Sequence, residues 1–318
     1  MAIPPAVVSA ARAGWRWQWQ QLMGGLGPAD NAGNYQRPAS PFATLPPLPA
    51  NAAEASSHVL IVGRSCPWAH RAWLVWSLRQ LQTSIELLVV EPDPEAGRWR
   101  FSSPFLGCST LQELYGRSGA AASQRATVPV LVERSSGRVV LGESARLIEL
   151  LNQWPAPAGA PDLAPPAAAA SISHWRALLQ GAVNDGVYRC GFARNQAAYD
   201  RAESALFEAL HQAEAALASS SWLCGSSLSL ADVQLFPTLI RLELVYAPLF
   251  GVSRQPLWQL PGLWRWRQRV YALPGVADTC CDQAWRQDYF GALFPLHPSG
   301  IVPAGPALAT LVQAPLQP

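Results

Sequence analysis

Lysine is absent from the chain, and charged residues of any kind are few. All 23 basic residues among the 318 are arginines, they face 21 acidic residues, and charged side chains make up 14% of the sequence. The arginines are scattered and form no basic stripe, whereas nucleic-acid binding needs clustered phosphate contacts. We therefore expect no nucleic-acid partner. The 50% hydrophobic content indicates a packed globular protein.

Long apolar runs, a leader sequence and CxxC pairs are also missing. No apolar run approaches the ~18 to 20 residues of a membrane span, and the N-terminal stretch lacks the basic-then-apolar order of a signal peptide. We expect a cytoplasmic protein without a membrane partner. The six cysteines form no Cys/His grouping suited to zinc, so we expect no metal and thiols that are mostly reduced.

Composition and periodicity divide the chain into five segments. They are an N-terminal arm (1–55), a thioredoxin-like domain (56–153), a linker (154–170), an all-helical domain (171–290) and a C-terminal tail (291–318). The arm shows no sustained helical or strand period, and its tryptophan density indicates that it packs onto the body of the protein. The linker is rich in Pro and Ala, which is typical of a domain boundary.

The second segment has the pattern of a thioredoxin-like domain. Apolar runs predict strands at His58–Gly63, Ile85–Val90, Val128–Glu133 and Arg138–Gly142. Helical spacing follows the first run, and another helix is predicted to begin near Glu143. The resulting order is β-α-β, a connecting segment, then β-β-α, which is the thioredoxin-like arrangement.

Beyond the linker, the sequence shows amphipathic helical spacing throughout. Helices are predicted over residues 171–184, 197–218, 229–250, 261–272 and 278–290. Ser229 and Asp232 have the spacing of a capping box. The predicted fold class is therefore an α/β thioredoxin-like N-terminal domain followed by an all-α C-terminal domain.

Cys66 is the first candidate for chemistry. It follows a strand and precedes a helix, with Pro67 at the first helical position, where a missing N–H costs nothing. Free N–H groups and the helix dipole favour the thiolate there, so we expect a lowered pKa and the most nucleophilic of the six cysteines. Ala69 stands in the place of a resolving cysteine, so an external thiol must release any mixed disulfide. The alternative is a buried structural cysteine.

Two further motifs indicate a peptide-binding site. Proline cannot donate a hydrogen bond to a sheet and is rare in central strands, so Pro129 in this strand pattern needs an explanation. We expect a cis Val128–Pro129 bond that presents backbone groups to a bound peptide. The alternative is an edge-strand proline. Glu143 and Ser144 begin a helix whose N–H groups and serine hydroxyl suit a carboxylate, while Glu143 suits an ammonium. Glutathione carries both groups, although plain helix capping is an alternative.

With CPWAHR at 66–71, VPVL at 128–131 and ES at 143–144, the chain resembles the glutathione transferase superfamily. Three longer stretches are similar to the glutathionyl-hydroquinone reductases, also called Xi-class glutathione transferases. They are NDGVYRCGFARNQAAYDRA (184–202), LADVQLFPTLIRLELVY (230–246) and GIVPAGP (300–306). The resemblance covers both domains and the tail, and it implies a glutathione transferase fold and a homodimer.

The resemblance also implies an activity and a set of site residues. Glutathionyl-hydroquinones would be reduced to hydroquinones through a cysteinyl-glutathione mixed disulfide, with glutathione as thiol co-substrate and glutathionylated aromatic quinols as partners. Cys66 would be the nucleophile and Tyr188 the proton donor or acceptor, while the hydroxyls of Tyr246 and Tyr289 would point at the thiolate and lower its pKa. The residues implied to hold glutathione are Trp99, Arg125, Ala126, Thr127, Val128, Pro129, Glu143 and Ser144. From spacing alone, packing roles for the tyrosines and Trp99 would be favoured.

Two other functions stay open on the sequence. An omega-like thiol transferase or dehydroascorbate reductase would use the same thiol on small mixed disulfides, and the Tyr188 hydroxyl would then matter less. A noncatalytic glutathione-transferase-like binding module would keep the fold and recruit partners through its surface. The presence of Cys66, Pro129, Glu143 and Ser144 counts against the module.

Overall fold

The computed structural model describes residues 3–93, 98–293 and 296–313. The strands are β1 (His58–Gly63), β2 (Glu86–Asp93), β3 (Arg98–Phe105), β4 (Cys108–Thr110), β5 (Val130–Glu133) and β6 (Arg138–Leu141). The helices are α1 (Pro5–Leu26), α2 (Ala52–Ala55), α3 (Pro67–Leu78), α4 (Leu111–Arg117), α5 (Ser144–Gln153), α6 (Ala169–Leu179), α7 (Gly186–Gly191), α8 (Gln196–Ser219), α9 (Leu230–Leu239), α10 (Ala247–Phe250), α11 (Pro261–Tyr271), α12 (Asp282–Ala292) and α13 (Leu308–Gln313). Two π-helical turns, Gln180–Asn184 and Leu242–Tyr246, follow α6 and precede α10.

One mixed sheet of six strands, in the order β4-β3-β2-β1-β5-β6, organises the first domain. Strand β1 is parallel to β2 and antiparallel to β5. All six residues of β1 are buried, as expected for a central strand covered on both faces. The units β1-α3-β2 and β5-β6-α5 confirm the predicted thioredoxin-like arrangement.

The connecting segment between β2 and β5 holds more structure than the sequence predicts. It contains β3, β4 and α4, and the two strands extend the sheet as an antiparallel pair beside β2. Five of the eight residues of β3 are exposed. A strand that is mostly exposed does not need the apolar run that predicts the buried strands.

The helical domain follows the predicted segments closely, but one of its helices falls outside them. Helix α7 lies between two predicted helices and has only six residues, too few for a helical period to be visible. The capping box is confirmed, because the N–H of Ser229 donates to Asp232 Oδ2 at 2.9 Å and both halves of the box are present. Asp232 is fully buried and also accepts from Leu223 N and Trp266 Nε1.

The core of this domain contains the most apolar helical stretch of the chain. Contrary to the expectation from apolar runs, Leu230–Phe250 is long and apolar enough by composition to cross a membrane, with a mean hydropathy of 1.3. Of its apolar window, 78% is buried inside the protein. This is the burial of a core helix in a folded domain.

The prediction that the arm lacks regular structure is wrong for α1, a helix of 22 residues. Pro5 starts the helix, yet Met23 is its single buried residue. Trp15 and Trp17 are 48% and 66% exposed, so they do not pack onto the body as predicted. Trp19 does pack, under the Arg194 guanidinium. A helix that buries so little needs no amphipathic period, which explains why the pattern did not predict it.

Two other parts of the terminal segments dock onto the domains. After α1 the arm runs between them, and Gly142 N donates to Phe42 O at 2.7 Å while Arg194 N donates to Gly33 O at 3.0 Å. The tail carries α13, whose carbonyl at Leu311 accepts from the Arg267 side chain at 3.0 Å. Residues 294–295 and 314–318 of the predicted tail lie outside the described residues.

Candidate active site

Cys66 is the N-cap of α3, directly after the turn that ends β1. Pro67 occupies the first turn of the helix, as predicted, and Cys66 itself is half-buried. The thiol donates a hydrogen bond to the carbonyl oxygen of Val128, with 3.3 Å between sulfur and oxygen. The Val128–Pro129 peptide bond is cis, which confirms the prediction. The thiol therefore faces the cis-proline turn.

The prediction of a lowered pKa for Cys66 is wrong for the ligand-free protein. Burial raises the pKa of the Cys66 thiol, because a charged sulfur loses more solvation than a neutral one. The N–H groups of Ala69 and Trp68 at the start of the helix act in the opposite direction, as do the charges of Arg241 and Arg37. Helix position does favour the thiolate, but burial outweighs it, and burial cannot be read from the local pattern.

Three tyrosine hydroxyls meet at the boundary of the helical domain with Cys66. The Tyr289 hydroxyl shares hydrogen bonds with those of Tyr188 and Tyr246, the latter at 3.3 Å. Tyr188 lies on α7, Tyr246 ends the second π-helical turn and Tyr289 lies on α12. The ring of Tyr188 stacks 5.9 Å from that of Trp68, two residues after Cys66, which brings the phenols to the first turn of α3. The three phenols are therefore grouped beside this turn, and their action on the thiol stays a prediction.

The orientation of two of these tyrosines differs from the prediction. The hydroxyls of Tyr246 and Tyr289 hydrogen-bond to phenols, and the thiol of Cys66 bonds to Val128 O instead. The neutral thiol is a donor and uses the nearest carbonyl, which explains the difference. Burial raises the pKa of Tyr246, and raises those of Tyr188 and Tyr289 well above the ordinary phenol value. All three phenols are therefore protonated near neutral pH and can donate a proton.

Aromatic rings surround Tyr188 on several sides. Its ring lies 5.9 Å from that of Trp68 in a stacked geometry, and 5.8 Å and 5.4 Å from those of Phe192 and Phe250. Tyr35, from the arm, lies 6.5 Å away. The sequence does not predict Trp68, Phe192, Phe250 or Tyr35 as site residues, because four aromatic residues far apart in the chain share no spacing. Phe192 and Phe250 are buried, whereas Trp68, Tyr35 and Tyr188 are half-buried and form an apolar wall suited to an aromatic ring.

Glu143 and Ser144 begin α5, as predicted, but they have different neighbours. The Glu143 carboxylate accepts from Ala145 N at 3.3 Å and lies 3.9 Å from Arg37. Ser144 is buried, and its hydroxyl accepts from the Arg71 guanidinium at 3.4 Å. In the ligand-free protein this hydroxyl is therefore held by a buried arginine, and its contact with a ligand stays a prediction. Glu143 remains accessible, so its pairing with an ammonium stays a prediction.

The remaining residues implied to hold glutathione lie on two sides of the Cys66 turn. Trp99, on β3, packs against Gly63, where an added Cβ would lie 2.6 Å from its ring atoms. Gly63 O accepts from Cys66 N at 3.2 Å, so Trp99 adjoins the turn. The segment 125–128 leads into the cis-proline turn, with Arg125 and Thr127 exposed and Ala126 and Val128 buried. The thiol of Cys66 bonds to Val128 O. Contact of Trp99 and of the segment 125–128 with a ligand stays a prediction.

Known proteins resemble this chain over both domains. The glutathione S-transferase N-terminal and C-terminal domain families match residues 65–154 and 196–269. Glutathionyl-hydroquinone reductase YqjG of Escherichia coli K12 is 33% identical over 86% of this chain and 89% of its own length. The chain belongs to the glutathionyl-hydroquinone reductases. Another member, PcpF of Sphingobium chlorophenolicum, is 31% identical over 80% of this chain and 84% of its own.

Solved structures of the same family share the fold. The Xi glutathione S-transferase of Phanerochaete chrysosporium superposes with a TM-score of 0.81 at 30% identity, covering 87% of this reductase chain and 94% of its own. The glutathione-bound structure of E. coli YqjG gives a TM-score of 0.72 at 33% identity, covering 79% and 84%. The two-domain architecture and the family's place among the glutathione transferases are therefore established for this chain.

Proposed function

We propose that this protein reduces glutathionyl-hydroquinones to hydroquinones, with Cys66 as nucleophile and glutathione as thiol co-substrate. The observation that carries the proposal is the meeting of one thiol at a helix N-terminus with three protonated phenols and an aromatic wall. A glutathionyl-hydroquinone needs a nucleophile for its sulfur, a proton donor for its ring and an apolar surface for that ring. Two relatives above 30% identity carry this activity in their names.

In the first step the Cys66 thiolate attacks the sulfur of the glutathionyl substituent. A sulfur–sulfur bond forms, the bond from that sulfur to the ring carbon breaks, and its electron pair remains on the carbon. That carbon takes up a proton and the hydroquinone leaves. Tyr188 is the proposed donor, because its phenol is protonated near neutral pH and its ring stacks beside Trp68, two residues after Cys66.

In the second step a glutathione thiolate attacks the glutathione sulfur of the mixed disulfide. The bond to Cys66 breaks, Cys66 leaves as a thiolate, and glutathione disulfide is released. One glutathionyl-hydroquinone and one glutathione thus become one hydroquinone and one glutathione disulfide. Ala69 holds the position of a resolving cysteine, so the second thiol comes from outside the chain.

Formation of the Cys66 thiolate is linked to substrate binding in this proposal. In the free protein the thiol donates to Val128 O, which favours the neutral form together with burial. The peptide N–H of a bound glutathionyl group is the natural competitor for that carbonyl. When the ligand takes it, the thiol loses its acceptor, while the N–H groups of Trp68 and Ala69 still favour the thiolate.

Turnover of glutathionyl-menadiol with excess glutathione tests the proposal. The wild-type protein should release menadiol and glutathione disulfide in equal amounts, and Cys66→Ala should abolish both products. Cys224→Ala is the matched control, because Cys224 is also a half-buried free cysteine and lies on the other side of the linker. Turnover that survives Cys66→Ala, or a wild-type protein without turnover, contradicts the proposal.

We also propose that the protein is a cytoplasmic homodimer. The cytoplasmic location is supported by the six free thiols, and the homodimer rests on the family. Light scattering coupled to size exclusion measures the mass of the particle directly. A mass near the 34.3 kDa of one chain at micromolar concentration would contradict the dimer.

A further inference from the structure

Arg37 of the arm lies beside the proposed glutathione site, between the two domains. Its guanidinium carbon is 3.8 Å from the centroid of the Trp68 ring. Its Nη2 lies 3.9 Å from Oε1 of Glu143, and its Nη1 lies 3.6 Å from Oδ1 of Asp185. Glu143 caps α5 of the first domain, and Asp185 directly precedes α7 of the second. One side chain from outside both matched domain segments therefore contacts both domains at the site.

The two ion pairs of Arg37 are too long to be hydrogen bonds. Among the residues that the structure describes, Arg37 donates no side-chain hydrogen bond, and its side chain is 26% exposed. Arg71, the other guanidinium beside Trp68, is buried and already donates to Ser144 and Gln180. Of these two cations, Arg37 is therefore the one with N–H donors that a ligand can reach.

The position of Arg37 is also fixed before a ligand arrives. Stacking on the Trp68 ring and attraction to two carboxylates hold the guanidinium plane. A preorganised guanidinium loses little rotamer freedom when it binds, and its paired N–H groups match the two oxygens of a carboxylate. The ligand group that fits this place is therefore an anion, and a carboxylate in particular.

We infer that Arg37 binds the α-carboxylate of the γ-glutamyl residue of glutathione. The inference rests on the proposed function in taking glutathione as the ligand. The γ-glutamyl residue carries its ammonium and its α-carboxylate on one carbon atom. A ligand whose ammonium pairs with Glu143 consequently brings its carboxylate to the guanidinium 3.9 Å from that same residue. The long Arg37–Glu143 pair then opens to hold both charges of the ligand.

Calorimetry with two peptides tests this assignment. The first is glutathione, and the second is 4-aminobutyryl-cysteinylglycine, which keeps the amine but lacks the α-carboxylate. Arg37→Gln should weaken glutathione binding by about tenfold or more, the effect of losing one charge-assisted hydrogen bond. It should leave binding of the second peptide unchanged. Arg37→Lys should fall between, and Arg16→Gln, on the exposed part of α1, should match the wild type.

The possible outcomes separate the assignment from the proposed function. Equal weakening of both peptides by Arg37→Gln would mean that Arg37 only supports Trp68 and the domain boundary, and would overturn the inference. Unchanged glutathione affinity would overturn it too. A wild-type protein that binds no glutathione would refute the proposed function as well. Should Arg37→Gln fail to fold, as judged by circular dichroism, the same peptide comparison on Arg37→Lys decides.

Discussion

Replacing Tyr188 by phenylalanine removes one hydroxyl and leaves the surrounding packing in place. The rings of Trp68, Phe192 and Phe250 contact the aromatic ring, which the variant keeps. The hydroxyl itself is paired with that of Tyr289, which retains Tyr246 at 3.3 Å as a partner. Because no buried hydroxyl is orphaned, we expect a loss of only about 1 kcal/mol in unfolding free energy.

The expected effect of this substitution on the rate is much larger. A positioned proton donor contributes about 10²- to 10⁴-fold to a rate, which corresponds to about 2.7 to 5.4 kcal/mol in the barrier. Reduction of glutathionyl-menadiol should therefore slow by about 10²- to 10⁴-fold. Exchange with a small glutathione mixed disulfide should change little, because a sulfur leaving group needs no proton on carbon. Since burial raises the pKa of Tyr188 well above the ordinary phenol value, the wild-type rate should show no basic limb from this residue near neutral pH.

Steady-state rates on the two substrates measure both effects in the same preparation. Tyr199→Phe is the matched control, since its hydroxyl donates to Gly251 O at 2.6 Å outside the proposed site. A Tyr188→Phe protein that loses less than about tenfold on the quinol would show that the phenol only packs. Equal losses on both substrates would favour an omega-like thiol transferase in which the hydroxyl serves the thiol.

Three further predictions address the thiol, the glutathione site and the helical core. In the free protein the thiolate absorbance of Cys66, measured against Cys66→Ser, should titrate above the ordinary cysteine range because of burial. It should shift downward with S-methylglutathione, and a low pKa without ligand would refute the burial argument. Gly63→Ala places a Cβ 2.6 Å from the Trp99 ring, so KM for glutathione should rise more than kcat falls. An unchanged KM would remove Trp99 from the site. Asp232→Ala leaves the donors of Leu223, Ser229 and Trp266 unpaired and should lower the unfolding free energy by about 2 to 4 kcal/mol in urea titrations. A loss below about 1 kcal/mol would show that water replaces the carboxylate.

The features that the sequence predicts well are those decided by a few neighbouring residues. Strand β1 is an unbroken apolar run, α3 begins at Cys66 and Pro67, and the Ser229 capping box needs only three residues of spacing. The cis Val128–Pro129 bond is predicted from a proline in a strand pattern. Local sterics and hydrogen bonding determine the strand, the helix start and the capping box, so a single sequence is sufficient for them. The cis bond opposes the local trans preference of X–Pro bonds, and only its place beside the Cys66 turn favours it.

The features that the sequence pattern does not predict depend on residues distant in the chain. The pKa of Cys66 is set by burial under elements that follow it by tens to hundreds of residues, and Arg37 reaches Glu143 and Asp185 across more than one hundred positions. Helix α1 is mostly exposed and so carries no amphipathic signal. Trp68 looks like any tryptophan on a helix until Arg37 and Tyr188 are placed beside it.

Residues distant in the sequence also connect α3, which carries Cys66, to the helical domain. His70 lies on α3, four residues after Cys66, and its Nδ1 accepts from the Arg241 guanidinium at 2.8 Å. Because arginine only donates, the ring hydrogen is on Nε2, which donates to Thr279 Oγ1 at 2.8 Å. Burial and Arg241 lower the pKa of His70 well below its ordinary value, so the imidazole is neutral.

The Arg241 guanidinium also lies 3.9 Å from the ring of Trp285 on α12, the helix that carries one of the phenols. A neutral imidazole thus joins the thiol-bearing helix to the helical domain, and a proton on that ring would place two cations face to face. Acidification below the lowered pKa of His70 would therefore weaken the contact between α3 and the helical domain.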